Sequence, residues 1–490
     1  MRRIFSNPVT ALLAGACLRL FFVLQFPAGS GDTSLYEQIA SNWLIFGKYA
    51  LNINGQPVTV DVRVPGYPAF LAILYALTGR TGESARLFVM LAQICVDLGT
   101  CVLIGALAAL LSILSEHVKP SRAFTAGLWV SALCPLTANY TAVPLTEVWA
   151  VFFAALSFLI LVVVATRATG GSFSTRVWGD LPNKSFWTLS AFAGFAVGLG
   201  TLFRPETPLL LLTTFALLGF WMWRREPGRW LLTCALMTLT CAIPLLPWIV
   251  RNAVTLHEFQ PLAPKDANLP NEFIPRGFMA WERTWLYRVR DCYLVSWKLN
   301  EETIDMDDIP SAAFDTPEER QRVAALLETY NDDLTLTPEE DAEFAQLARE
   351  RTARHPLRTY IAVPLKRSVR LWFTPRIELV PVSGNVFPLG YMNEEDPADQ
   401  RVTIFYFFLN VFFVALALWG TWKLWKCRNA RPAILILVLY ILVRTLFLTT
   451  LETPEPRYTL VCFPALLALG GQIFAAERER QSLHSDQPRL

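Results

Sequence analysis

The sequence predicts an all-α polytopic membrane protein. Three observations carry this. Hydrophobic residues make up 53% of the 490-residue chain. Charged residues make up only 17%, against roughly 25% in soluble proteins. Apolar runs near 20 residues recur along it, enough as helix to cross a hydrocarbon core of ~30 Å.

The predicted spans are 8–27, 85–111, 123–141, 145–166, 186–203, 207–223, 230–250, 402–423, 432–450 and 457–475, about ten transmembrane helices, seven in a core and three more. The N-terminus imitates a signal peptide, but Arg19 interrupts its apolar run and no small-x-small site follows cleanly, so it reads as a retained first span. The apolar piece 65–79 is short for a crossing. If it is left uncrossed, Arg2 and Arg3, "HVKPSR", "TRATGGSFSTRVWGDLPNK", "WRREPGR", "KLWKCRNAR" and the C-terminal tail share one side. The positive-inside rule makes that side cytoplasmic. Segment 65–79 is then a helix at the outer surface.

The organisation expected from this reading is a seven-span core over 1–250 with a first outer loop 28–84. A mostly helical outer (periplasmic) segment 251–401, three spans over 402–476 and a cytoplasmic tail 477–490 follow. In 251–401, "TPEER" and "TPEED" each place Thr at an N-cap, Pro at N1 and acids in the first turn. "HPLRTYIAVPLKRSVRLWF" mixes apolar and basic residues as an interfacial helix does. Only Cys292 falls in the large polar segment, which excludes a disulfide within it, and the four His form no ligand cluster.

Polar residues gather at the outer ends of the spans. In "GDTSLYEQIASNW", Asp32 stands just beyond span 1, and Leu35, Ile39 and Trp43 share a face with Glu37 and Asn42 off it. Asp32 is either a helix-start acid or a general base at the membrane face. Glu147 opens span 4, Arg204 and Glu206 lie in the "RPE" turn, and Arg63 precedes "PGYP". Arg251 ends span 7, and Arg457 opens span 10. Each Arg has a snorkelling role open to it. Several Arg and carboxylates at one face suit an anionic headgroup and an acid–base step. Deeper, Arg19 lies ~12 Å below the outer end of span 1 and Asp97 ~18 Å below the start of span 2, so the two can pair.

In order and spacing, "GD…Y", "YALNINGQPVTVDVRVPGYPAFLAIL", "PLTE", "LFRPE", "PWIVRN" and "EPRY" resemble the GT-C superfamily of polytopic glycosyltransferases. The likeness is to the branch of protein O-mannosyltransferases and the lipid A aminoarabinose transferase. It covers roughly residues 1–260, and the last three spans more weakly. The resemblance implies a sugar donor on polyprenyl phosphate and transfer on the periplasmic side of the inner membrane. It places Asp32 as the catalytic acid residue and Arg63 near the lipid phosphate. With Arg63, the residues Tyr36, Tyr67, Arg204, Glu206, Arg251 and Arg457 are the expected substrate-binding set, and Glu147 a second catalytic acid. "GD" stands where the protein mannosyltransferases have adjacent Asp–Glu, and 251–401 matches nothing placeable, so the acceptor stays open between protein, lipid and glycan. Nothing in the sequence requires a tightly bound metal or cofactor; a loosely held divalent cation is compatible with it. The second function class is a transporter or lipid flippase, which the midplane charges would suit. Against it, charges cluster at one face and no matching pair of broken helices appears.

Overall fold

The computed structural model describes residues 7–116, 118–168, 183–266, 268–269, 272–384, 386 and 396–475. Arg2, Arg3, most of the loop after span 4 and the tail 477–490 lie outside the described residues. In chain order the elements are α1 (Pro8–Gln25), α2 (Gly31–Phe46), β1 (Ala50–Ile53), β2 (Gln56–Thr59) and α3 (Gly66–Thr78). Then come α4 (Arg86–Ser115), α5 (Pro120–Ala132), α6 (Glu147–Ala168), α7 (Asn183–Thr201), α8 (Leu209–Met222), α9 (Pro227–Ala242) and α10 (Leu246–Thr255). The rest are α11 (Arg276–Arg283), α12 (Pro317–Asp333), α13 (Pro338–Arg354), α14 (Val363–Trp372), α15 (Pro397–Trp425), α16 (Arg431–Thr449) and α17 (Phe463–Ala475). The protein is an all-α polytopic membrane protein.

Seven of the expected crossings are long and apolar enough to span a bilayer: Pro8–Gln25, Gly82–Ser115, Glu147–Ala168, Pro227–Thr255, Pro397–Trp425, Arg428–Thr449 and Pro456–Ala475. The other three are shorter than expected. Ser185–Thr201 and Leu209–Met222 stop at the polar turn 202–208 between them. The run 123–141 breaks after Ala132, because Pro135 cannot continue an α-helix. Segment 65–79 forms the 13-residue α3, ~20 Å long and too short to cross.

By compactness the chain divides into two units. The first comprises residues up to Ala263, Ile377–Ile441 and from Leu460 onward. In it α4 packs on α5 and α6, α7 on α6 and α9, and α17 on α5 and α15. Arg19 of α1 and Asp97 of α4 meet in its interior: Nε donates to Oδ2 at 2.7 Å. Nη1 donates to the carbonyls of Gly15 and Ala132, each at 2.9 Å. Both side chains are buried. Each charge has a partner, as a site without water demands.

The second unit comprises Pro264–Arg376 and Leu442–Thr459. Its helices start where the Thr-Pro signals place them. Thr316 Oγ1 accepts from the Glu319 amide at 3.2 Å, and Thr337 and Glu340 close a reciprocal capping box. Phe278, Trp281, Trp285, Tyr330, Phe344 and Leu347 are buried in its core. No disulfide joins any of the nine cysteines among the described residues.

Candidate active site

The site is built in the first loop, in three steps from the sequence. Ser30 caps α2 in a reciprocal box with Thr33, which sets Asp32 in the first turn, where the helix dipole favours a carboxylate. Next, Asn54 and Gly55 adopt φ of 51° and 77°, the positive values a two-residue hairpin needs. They fold β2 back on β1, pairing Ile53 with Gln56 and Ala50 with Thr59. The Asn-Gly pair is a strong hairpin signal that the sequence reading passed over. Finally Tyr49, wedged against Trp43 and Trp248, donates from its hydroxyl to the Arg63 carbonyl at 2.8 Å.

With its backbone so held, Arg63 reaches Asp32: Nη2 to Oδ1 is 2.8 Å, and both side chains are about one-quarter exposed. A second acid–Arg group comes from α6 and the turn after α7. Glu147 pairs with Arg204, and Arg204 Nη1 lies 3.9 Å from Glu206. Glu147 is buried and Arg204 and Glu206 are partly open. Glycine is needed where α3 begins. The Gly66 amide donates to the Leu202 carbonyl at 2.7 Å, and a Cβ there would stand 2.8 Å from the Leu202 carbonyl carbon. This contact locks α3 to the turn carrying Arg204 and Glu206.

Tyr36 links the two groups. It is buried, its ring meets Tyr67 edge-on at 5.1 Å, and Arg63, Asp32, Arg204 and Glu147 all act on its hydroxyl electrostatically. Burial is the largest influence and raises its pKa, so it stays a neutral phenol at neutral pH. Asp32, Glu147, Arg63, Arg204, Glu206 and Tyr36 therefore share one neighbourhood. Tyr67 stands behind them: its hydroxyl donates to Gln93 Oε1 at 2.8 Å, and Gln93 Nε2 donates to the Val143 carbonyl at 2.9 Å. Gln93 thereby braces the bend leading to Glu147, a role no local pattern announces.

Two predicted residues are placed differently from the rest. Arg251 donates to the Val60 carbonyl at 2.8 Å and the Tyr49 carbonyl at 2.9 Å, with its guanidinium over the Tyr49 and Trp248 rings. It braces the hairpin. Arg457 belongs to the second unit, where it pairs with Glu455 at 2.5 Å. The expected polar side of α2 also differs. Glu37 and Asn42 are buried because both are satisfied. Arg86 grips Glu37 with two bonds of 2.7 and 2.9 Å, and Asn42 donates to the Ala50 carbonyl at 2.9 Å.

Among the described residues no three His, Cys, Asp or Glu side chains converge as a metal site. The carboxylates of Asp32, Glu147 and Glu206 each face an Arg. Two acid–Arg groups around a neutral phenol can bind an anion at the guanidiniums and accept a proton at a carboxylate thereby released.

No family model and no curated protein matches the sequence. Among solved structures, the oligosaccharyltransferase AglB of Archaeoglobus fulgidus, in complex with an inhibitory peptide and a dolichol-phosphate, aligns with a TM-score of 0.47 and 14% identity over 94% of this chain and 50% of its own. The apo form of the Archaeoglobus fulgidus oligosaccharyltransferase gives 0.49 and 13% over 94% and 50%. ArnT from Cupriavidus metallidurans, bound to undecaprenyl phosphate, gives 0.36 and 12% over 95% and 77%. The chain spans about half the length of the oligosaccharyltransferase chains it matches. It is similar in structure to AglB and to ArnT.

Proposed function

We propose that the chain is a membrane glycosyltransferase that moves a sugar from a polyprenyl-phosphate donor to an acceptor at the outer face, inverting the anomeric centre. The observation that carries this is the Asp32–Arg63 pair at 2.8 Å, set beside Glu147, Arg204 and Glu206 around Tyr36. In the resting site Arg63 covers Asp32. A donor phosphodiester offers Arg63 an anionic, bidentate partner, so donor binding draws the guanidinium away and releases the carboxylate. Asp32 then takes the proton of the acceptor hydroxyl. The acceptor oxygen bonds to the anomeric carbon, the bond from that carbon to the phosphate oxygen breaks, and its electron pair leaves with polyprenyl phosphate. Arg63, with Arg204 as the second cation, stabilises the charge that grows there. Glu147 holds Arg204 in place, and Glu206 and Tyr36 are available to sugar hydroxyls.

The test is transfer from a polyprenyl-phosphate-linked sugar in reconstituted vesicles, with donor binding measured separately. Asp32→Asn keeps the side chain's size and removes the base. It should fold, bind donor and lose turnover by ~10²–10⁴. Near-normal turnover in that variant would reduce Asp32 to a helix-start acid. The transporter reading drew on Arg19 and Asp97, and both are held in a buried pair with carbonyl partners.

A further inference from the structure

Helix α14 and the turn before it bury one side and expose the other. Val363, Arg367 and Leu371 face inward. Arg367 is pinned there, donating to the Leu286 carbonyl at 2.7 Å and the Thr449 carbonyl at 3.2 Å. On the opposite side Leu357, Tyr360, Ile361, Leu365, Val369 and Phe373 are exposed, Leu357 by 71% and Leu365 by 61%. Most fall at four-residue steps, which is one helical stripe.

What covers this stripe is indicated by where the helix is fastened. Thr449 is the last residue of α16, which is long and apolar enough to cross a membrane. Trp372 Nε1 donates to Thr445 Oγ1 of the same helix at 2.9 Å. A helix bonded to the final turns of a span sits at the level where hydrocarbon gives way to headgroups. The charges beside the stripe agree. Lys366 and Arg288 both approach the Tyr287 ring, at 5.1 and 5.2 Å. Arg288, Arg290 and Arg370 all act on a single carboxylate, Asp291. Three of these four cations thus share one acid, and Lys366 joins Arg288 at Tyr287. Basic flanks on an apolar stripe are the composition of helices that lie in an anionic membrane surface.

We propose that residues 357–373 form a membrane-embedded anchor whose stripe enters the acyl region and whose flanking cations Arg288, Lys366 and Arg370 bind the phosphate of an anionic phospholipid. The anchor fastens the second unit to the bilayer independently of any transfer chemistry.

The experiment uses the full chain in vesicles of phosphatidylglycerol and phosphatidylcholine, with photoreactive p-benzoylphenylalanine replacing single residues. Replacement at Leu357, Ile361, Leu365 or Val369 should give lipid adducts, and replacement at the inward Val363 protein adducts only. Phosphatidylglycerol should be enriched in the adducts over its share of the vesicle. Lys366→Gln and Arg370→Gln should each reduce that enrichment by up to about fivefold, the size of one cation at an anionic surface. Leu418, exposed on the candidate span α15, is the positive control. Lipid adducts at Leu418 but none at Leu365 would overturn the anchor, as would adducts at Leu365 to a second copy of the chain. Adducts in simple proportion to vesicle composition would overturn the headgroup site.

Discussion

Arg63 Nη2 rests 2.8 Å from Asp32 Oδ1, across 31 residues of sequence. This one bond joins the residue expected to hold phosphate to the residue expected to take a proton. It makes the two functions interdependent, because Arg63 cannot hold a ligand and mask Asp32 equally well.

Arg63→Ala and Arg63→Lys separate those functions. Arg63→Ala removes the cation and exposes Asp32, so donor affinity should fall while the carboxylate stays available. A lost charged hydrogen bond to phosphate costs about 1.5–3 kcal/mol, a rise in donor Kd of roughly 10- to 150-fold. Arg63→Lys keeps the charge without the planar fork and should fall between. Equilibrium binding of the polyprenyl-phosphate donor is the measurement. An unchanged Kd in Arg63→Ala would assign the phosphate to Arg204.

The buried pair makes a prediction about assembly. Arg19→Ala or Asp97→Ala leaves the partner charge in a dry interior, a loss of about 3–5 kcal/mol. Arg19→Ala combined with Asp97→Ala should recover part of it. Folded yield and unfolding midpoint in detergent report the cycle. Strictly additive losses would mean that the two residues do not interact.

Glu282 links the second unit to pH. The carboxyl is buried, receives a hydrogen bond from Ser296 Oγ at 2.5 Å, and is pushed up to about 8 from 4.5 by burial, against the opposing pull of Ser296 and Arg367. A raised carboxyl pKa means that the folded state binds the proton more tightly than the unfolded state. Its stabilising effect is whole below about pH 4.5 and is lost as pH rises through about 8. Thermal midpoints of the full chain should fall across that window. Glu282→Gln, neutral throughout, should flatten the slope; an unchanged slope would exclude Glu282 as its source.

Orientation follows from the lysine and arginine asymmetry. Reporters fused after residues 118, 175 and 226 should read cytoplasm and one after 300 periplasm. A reporter at residue 82 tests α3, and a cytoplasmic signal there would mean that 65–79 crosses.

Much of the molecule could be read directly because it is local. Hydropathy over some 20 residues located the helices, since a bilayer allows no unpaired backbone in its core. Thr316 and Thr337 announced their helices because a cap is made within four residues. Even the Arg19–Asp97 pair was legible, since depth along two helices is a one-dimensional quantity. The hairpin at Asn54–Gly55 was equally local and was simply missed.

By itself the sequence determined the all-α membrane class, the short helix in the first loop and the set of acids and arginines at the span ends. Only the tertiary structure decided which partners meet. Asp32 took Arg63, Glu37 took Arg86 and Glu147 took Arg204, whereas Arg251 turned to the backbone carbonyls of Tyr49 and Val60. Spans ending at one face make many pairings equally compatible with depth and charge. The choice among them rests on close contacts such as the 2.7 Å approach of the Gly66 amide to the Leu202 carbonyl, and these arise only when helices far apart in sequence pack together.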